Sequence, residues 1–165
     1  MSVVLILGVD PGLNRCGWGL VASEGVRLSH VAHGVIKPPS QGELAARLAV
    51  LYEELSAIIA THKPHEAAVE ETFVNSNARA ALALGQARGV ALAAAAKGCV
   101  SVAEYSPATI KKAVVGSGAA DKTQIAFMVR RLLPTAGDVT ADAADALGVA
   151  LCHAAHGGFR RRTGA

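Results

Sequence analysis

The hydrophobic positions of the chain fall into two patterns, short apolar runs and longer stretches in which apolar residues recur every three or four positions. The first short run is continuously apolar, which predicts a strand buried on both faces of a sheet. The next two runs are joined by a Glu-Gly pair and predict a hairpin that extends this strand. Five strands are predicted in all, at residues 3–9, 17–22, 26–36, 66–70 and 99–105.

The longer stretches predict helices. Pro38-Pro39 breaks the sheet, and Ser40 is then the expected N-cap of a helix whose leucines recur every three or four residues. An Ala-rich stretch predicts a long helix over residues 77–97, and Ser106-Pro107 predicts the start of another helix. A loop is expected at residues 116–120, two further helices at 121–133 and 140–156, and a disordered basic tail at 157–165.

Strands and helices alternate after the hairpin, and this alternation predicts an α/β fold. The expected architecture is a five-stranded mixed sheet flanked by helices. An antiparallel meander comes first, and crossover helices then add parallel strands. No repeat and no long linker divides the chain, so residues 1–156 are expected to form one domain ahead of the tail.

Composition narrows the class of protein. The 165 residues are 52% hydrophobic and carry a net charge of +3, which permits a polyanionic partner without requiring one. Every apolar stretch long enough to span a bilayer is broken by glycine or charge, and residues 1–9 lack the features of a signal peptide. Cys16, Cys99 and Cys152 match neither a disulfide framework nor a zinc motif. These features favour a cytoplasmic protein.

Acidic residues stand where apolar segments end. Asp10 follows the first predicted strand in G-V-D-P-G, and Glu70 ends the fourth in A-A-V-E-E. Because neighbouring parallel strands bring their carboxyl ends to one edge, these two side chains are expected to lie close together. Asp142 and Asp145 are three residues apart in A-D-A-A-D-A-L, which puts both on one face of a helix able to pack closely on the sheet.

Each acid also has a simpler interpretation. Asp10 can open a Pro-Gly turn, and Glu70 can pair with an arginine. Asp142 or Asp145 can favour the first turn of a helix. Three apolar segments that each bring an acid to one edge favour a shared site instead, where divalent cations relieve the repulsion between carboxylates. The expected cofactor is Mg²⁺ or Mn²⁺, two ions acting on a phosphodiester and held by Asp10, Glu70, Asp142 and Asp145.

Five motifs follow one another over roughly residues 3–153: G-V-D-P-G, V-E-E-T-F, L-G-Q-A-R-G-V, V-V-G-S-G-A-A-D-K-T-Q and A-D-A-A-D-A-L. In this order they resemble the RuvC family of bacterial Holliday junction resolvases. The resemblance implies a ribonuclease H-like fold and a homodimer that nicks two opposed strands of a four-way DNA junction in recombination and repair. It makes the four acids the catalytic metal ligands, although some family members have His at the position of Asp142. It also implies the branch-migration proteins RuvA and RuvB as partners.

Basic and aromatic residues are placed to contact DNA, where phosphate contacts give affinity without reading sequence. The resemblance puts Lys111 and Lys122 at functionally important lysines. Lys122 begins a helix after a Gly-containing loop, where it can act in catalysis by neutralising charge on the scissile phosphate. Phe73 matches an aromatic residue that reaches into the junction's bases, and an exposed Phe there can stack on a base. Further DNA contacts are expected at the start of the long helix and along it, from Asn77, Arg79 and Arg88.

Other motifs suggest other functions. G-S-G-A-A-D-K-T resembles a phosphate-binding P-loop, but Asp121 stands where the second glycine is required. Actin-like and sugar-kinase phosphotransferases also end their first strand in D-x-G, but they need two large lobes. The string D-P-G-L-N-R-C-G resembles a related nuclease family, and a junction-binding protein without activity would lack at least one acid. His153 and His156 lie too far from Asp145 to share an ion and are predicted surface residues.

The long helix carries a further expectation. Residues 80–96 are apolar on nearly every side, and such a helix is normally buried on more than one side. One side can pack on the sheet, and the same helix of a second chain is the simplest cover for the other. The pattern therefore predicts a homodimer.

Overall fold

The computed structural model describes residues 2–71, 77–98 and 101–163. Its sheet has the strand order β3-β2-β1-β4-β5, in which β1 pairs antiparallel with β2 and β2 with β3, while β1 with β4 and β4 with β5 are parallel. This is the mixed five-stranded sheet that the pattern predicts. The strands are β1 Val4–Asp10, β2 Cys16–Glu24, β3 Arg27–Ile36, β4 Glu66–Glu70 and β5 Ser101–Tyr105.

Five α-helices and one short 3₁₀ turn, Pro134–Ala136, accompany the described strands. Helices α1 and α2 pack on one face of the sheet, while α3, α4 and α5 pack on the other. The helices are α1 Leu44–His62, α2 Ala78–Gly98, α3 Pro107–Val115, α4 Lys122–Leu132 and α5 Ala141–Thr163. No described helix is long and apolar enough to cross a membrane.

Helix α5 lies directly on β1 and β2. A Cβ atom added at Gly8 would come within 2.1 Å of the Ala146 carbonyl oxygen, and one at Gly17 within 2.1 Å of the Asp142 carbonyl oxygen. Only glycine on the strands allows this approach, so these two positions set the depth at which the first turns of α5 meet the sheet. The close packing expected of this Ala-rich helix is therefore present.

Side-chain caps are present at the expected starts of α3 and α4. Ser106 caps α3 by accepting a hydrogen bond from the Thr109 backbone N–H, and Asp121 forms a capping box with Gln124 at the start of α4. The expected cap at Ser40 is wrong, because α1 begins only at Leu44. Gly42 has a φ of 105°, which is incompatible with a helix and separates Ser40 from α1.

The C-terminal segment also differs from expectation. Helix α5 continues to Thr163, so the predicted disordered tail from residue 157 is wrong over most of its length. The consecutive glycines at 157–158 are poor helix formers, but without a proline the backbone hydrogen bonds carry on past them. The predicted boundary between residues 156 and 157 therefore lies inside a helix.

Candidate active site

Asp10 and Glu70 lie side by side at one edge of the sheet. The parallel register of β1 and β4 pairs Val9 with Val69, so the acid that follows each valine leaves the sheet next to the other acid. The two carboxyl groups are linked by a side-chain hydrogen bond. Burial, and then the charge of Glu70, raises the pKa of Asp10 to about 9, so one proton is held between the pair.

Asp145 completes the acidic part of the site from the other side. Burial raises its pKa, while the charges of Lys122 and Lys111 act in the opposite direction. The Lys122 Nζ lies 3.9 Å from the Asp145 Oδ2, and its side chain is 86% exposed. The capping box of α4 fixes the backbone of Lys122 at the first position of that helix, from which its side chain reaches towards the acids.

These residues surround one cavity of about 280 Å³. Pro107, Ile110 and Ile125 supply the apolar part of its wall, which helps to keep the carboxyl groups poorly solvated. The predicted Lys111 and Lys122 both face the cavity. Its lining consists of Asp10, Glu70, Pro107, Ile110, Lys111, Lys122, Ile125 and Asp145.

Asp142 does not line the cavity. It lies one turn before Asp145 in α5, as expected, but its Oδ2 accepts a hydrogen bond from the Arg15 Nε at 2.6 Å. The structure therefore brings together three of the four predicted acids and pairs the fourth with an arginine. The sequence analysis missed this partner, although Arg15 stands in the D-P-G-L-N-R-C-G string.

The acid cluster fits a hard divalent cation only in part as it stands. Within residues 2–71, 77–98 and 101–163, no group of three or more His, Cys, Asp or Glu side chains is drawn together closely enough to hold a metal ion. Asp10 and Glu70 nevertheless lie side by side with pKa values that burial raises, and Asp145 faces the same cavity. Carboxylate oxygens of this kind suit Mg²⁺ or Mn²⁺.

The predicted DNA contacts are distributed around this edge. Asn77 caps α2 by accepting a hydrogen bond from the Ala80 backbone N–H at 3.1 Å, and Arg79, the second residue of the helix, is exposed. Arg88, also expected to contact DNA, forms an ion pair with Glu104 of β5 and so links α2 to the sheet. Phe73 lies outside the described residues.

One prediction about the histidines is wrong. His153 is 4% exposed, with its Nδ1 2.8 Å from the Tyr105 hydroxyl and its Nε2 2.7 Å from the Glu66 Oε2. His156 is half-buried against the Tyr105 ring. Neither is a surface residue, because β4 and β5 present polar partners beneath α5. This network ties α5 to the strands that carry the site.

The loop after Asp10 has a separate support. Arg47 of α1 donates two hydrogen bonds to this loop, to the Asn14 Oδ1 at 2.8 Å and to the Leu13 carbonyl at 3.5 Å. It also donates one to the Pro39 carbonyl, at 2.5 Å. The loop from β1 to β2 is thus fastened to the opposite layer of the fold.

Known proteins share this sequence and architecture. A profile of the family "Crossover junction endodeoxyribonuclease RuvC" matches residues 6–153. The crossover junction endodeoxyribonuclease RuvC of Caulobacter sp. strain K31 is 61% identical over 151 residues, covering 92% of this chain and 89% of that protein. The RuvC of Hyphomonas neptunium is 53% identical over 162 residues, covering 98% and 97%.

A solved structure agrees with the family profile and with the two relatives. T. thermophilus RuvC in complex with Holliday junction substrate superposes with a TM-score of 0.87 at 31% identity, over 94% of this chain and 96% of that chain. The ribonuclease H-like fold implied by the sequence resemblance is confirmed by this match. With the profile covering nine-tenths of the chain and relatives above half identity, the chain belongs to the RuvC family of crossover junction endodeoxyribonucleases.

Proposed function

We propose that this chain resolves Holliday junctions in homologous recombination and DNA repair, as a structure-selective endonuclease that depends on a divalent metal. It nicks two opposed strands of the four-way junction symmetrically. The observation that carries this function is one cavity, at the edge where β1 and β4 end, that combines three carboxyl groups with two lysines. Membership of the RuvC family supports the same activity.

The acids of the cavity have one role in this function. Asp10, Glu70, Asp145 and, after it leaves Arg15, Asp142 hold two Mg²⁺ or Mn²⁺ ions. When bound, such ions activate a water and stabilise the attacking and leaving oxygens of a phosphodiester. The apolar wall formed by Pro107, Ile110 and Ile125 keeps the carboxyl groups poorly solvated, which strengthens their attraction for a cation.

The lysines have a different role. Lys122 is held at the start of α4 with its ammonium 3.9 Å from Asp145, close to where a scissile phosphate meets the acids. Its charge stabilises the negative charge that develops on that phosphate during cleavage. Lys111 faces the same cavity from α3 and binds the DNA backbone. Arg79, Asn77 and Phe73, beyond the end of β4, extend the DNA contact.

The active form is a homodimer joined through α2. The outer face of this helix is exposed at Leu82, which is 64% exposed, and at the small residues Gly85, Gly89 and Ala93. A Cβ atom added at Gly85 or Gly89 meets nothing within 4 Å, so the backbone of a second helix can approach closely there. A two-fold dimer gives two cavities related by symmetry, as paired nicks require. The enzyme works in the cytoplasm with the RuvA-RuvB branch-migration complex.

The test is cleavage of labelled DNA. The protein is incubated with a synthetic four-way junction or with a linear duplex of the same sequence, in Mg²⁺, in Mn²⁺ or in EDTA. We expect paired nicks at symmetric positions of the junction, intact duplex, and no cleavage in EDTA. Cleavage of the duplex at a similar rate would contradict structure selectivity. Junction binding without nicks in either metal would assign the chain to junction recognition without catalysis.

A further inference from the structure

One acid of the site lies with its carboxylate outside the cavity. Asp142 and Asp145 are on the same face of α5, yet Asp145 lines the cavity and Asp142 does not. The difference is accompanied by one interaction, the 2.6 Å hydrogen bond from the Arg15 Nε to the Asp142 Oδ2. We propose that Arg15 is a positioning residue that competes with a divalent cation for Asp142 and so limits occupancy of a second cation position. This inference rests on the proposed metal-dependent function.

The backbones on both sides of the ion pair are fixed. A Cβ atom added at Gly12 would come within 2.2 Å of the Arg15 carbonyl oxygen, and one added at Gly17 within 2.1 Å of the Asp142 carbonyl oxygen. Arg47 also holds the loop through Leu13 and Asn14. With both main chains packed this closely, the ion pair opens by rotation of the two side chains and needs no movement of α5.

The ion pair is strong enough to set the position of Asp142 and weak enough to yield. The side chains of Arg15 and Asp142 are 47% and 31% exposed, so water and salt screen their attraction. A divalent cation carries twice the charge of a guanidinium and prefers carboxylate oxygens. Asp142 therefore pairs with Arg15 at low cation concentration and turns to the cation at high concentration.

Release of Asp142 has a second effect. It leaves the exposed Arg15 guanidinium beside the edge of the site without its carboxylate, where a phosphate of the DNA backbone is a matching partner. Binding of DNA and filling of the second cation position then favour each other, since each removes a competitor of the other.

The proposal is tested by Mn²⁺ binding to the full chain without DNA, measured as free Mn²⁺ by electron paramagnetic resonance and as stoichiometry by calorimetry. Of the two Mn²⁺ ions, the one bound with lower affinity reports on the second cation position. We expect Arg15→Gln to bind this ion about twofold to fivefold more tightly than the wild type, the range that the strength of an exposed ion pair allows. The control is Arg27→Gln, which removes the same charge from the hairpin at the far end of β2 and is expected to match the wild type.

A double variant separates competition for Asp142 from a general charge effect. In an Asp142→Asn background the gain from Arg15→Gln should disappear, because the carboxylate for which the two cations compete is gone. Equal affinity in Arg15→Gln and Arg27→Gln would overturn the proposal, as would a gain that persists in the double variant or the absence of bound Mn²⁺ in every variant. Circular dichroism confirms that each variant is folded. Because the readout is metal binding, a wild type that binds Mn²⁺ as expected but leaves junctions uncut would refute the proposed function and not this inference.

Discussion

Asp10 and Glu70 share a hydrogen bond at the edge where β1 and β4 end side by side. Two carboxyl groups form such a bond only when one of them is protonated, and the protein thus stores a proton at the position where a cation would bind. If the pair holds a divalent cation, as proposed above, the cation would take the place of this proton between the two carboxyl groups.

The stored proton makes the stability of the metal-free protein depend on pH. The pKa of Asp10 rises from 3.8 to about 9 on folding, so between these values the folded state holds a proton that the unfolded chain releases. Stability is therefore greatest at low pH within this window and falls as the pH rises towards 9.

Asp10→Asn removes the loss of stability at high pH, because the Asn amide donates a hydrogen bond to Glu70 as the protonated acid does. In EDTA we expect the melting temperature of the variant to exceed that of the wild type by at least about 3 °C at pH 8, with a smaller difference at pH 5. Thermal denaturation followed by circular dichroism measures both. Glu53→Gln, at an exposed position of α1, is the control. A difference that is the same at the two pH values would refute the stored proton.

The same substitution should separate cleavage from binding. Asp10→Asn and Glu70→Gln keep the shape of the side chains but remove the charge that a hard cation needs. We expect each to reduce junction cleavage in Mg²⁺ by at least about 100-fold, since the ions stabilise the transition state by several kcal/mol. Affinity for the junction, measured by gel shift in Ca²⁺, should stay close to that of the wild type. Glu71→Gln, next to Glu70 but outside the cavity lining, is the matched control. Substantial nicking by either site variant would remove these acids from the mechanism.

Lys122 should matter more for rate than for affinity. The start of α4 places its backbone so that the ammonium lies 3.9 Å from the Asp145 Oδ2, while the exposure of the side chain means that water screens its attraction for DNA in the ground state. We expect Lys122→Ala to slow single-turnover cleavage by about 100-fold and to change the junction dissociation constant by less than about fivefold. The control is Lys97→Ala, at the C-terminal end of α2, which should leave the cleavage rate and the junction affinity unchanged. Equal losses in rate and affinity would make Lys122 a phosphate anchor.

The dimer proposal can be tested at positions that the isolated fold tolerates. Leu82 is 64% exposed and Gly89 has open space at its Cβ, so Leu82→Asp and Gly89→Leu should leave the fold of one chain intact. In a dimer joined through α2, the first buries a charge and the second blocks close approach. We expect each to raise the dimer dissociation constant at least about tenfold in sedimentation equilibrium.

Leu92, on the same helix, is not suitable for testing the dimer. It packs against the core between α2 and the sheet, so a charge there disturbs folding as well as association. A wild-type protein that sediments as a monomer at micromolar concentration while making paired nicks would refute the dimer.

The architecture could be predicted from the sequence because its signals are local. The continuous apolar run of β1 and the alternating helices imply a parallel neighbour, and parallel strands place Asp10 and Glu70 at one edge. The start of α1 could not be predicted in this way, because the residue that sets it, Gly42, acts through a backbone angle rather than through its side chain.

Two features of the site depended on contacts far apart in the chain. Arg15 meets Asp142 across 127 positions, and His153 meets Glu66 across 87. In each case the sequence identified the residue but not its partner, since the partner is chosen by how closely α5 approaches the sheet. That distance is set by Gly8 and Gly17, whose role is visible only once the helix lies against them.

The cavity takes its three carboxyl groups from β1, β4 and α5, and Asp10 and Asp145 are 135 positions apart in the chain. During synthesis on the ribosome, the sheet edge with Asp10 and Glu70 is made long before α5 emerges. A nascent chain that has reached β5 thus carries two of the acids and none of the helix that closes the site. A chain that ends before α5 would therefore lack Asp145 and the helix that packs on β1 and β2, and it would carry only two of the three carboxyl groups of the cavity.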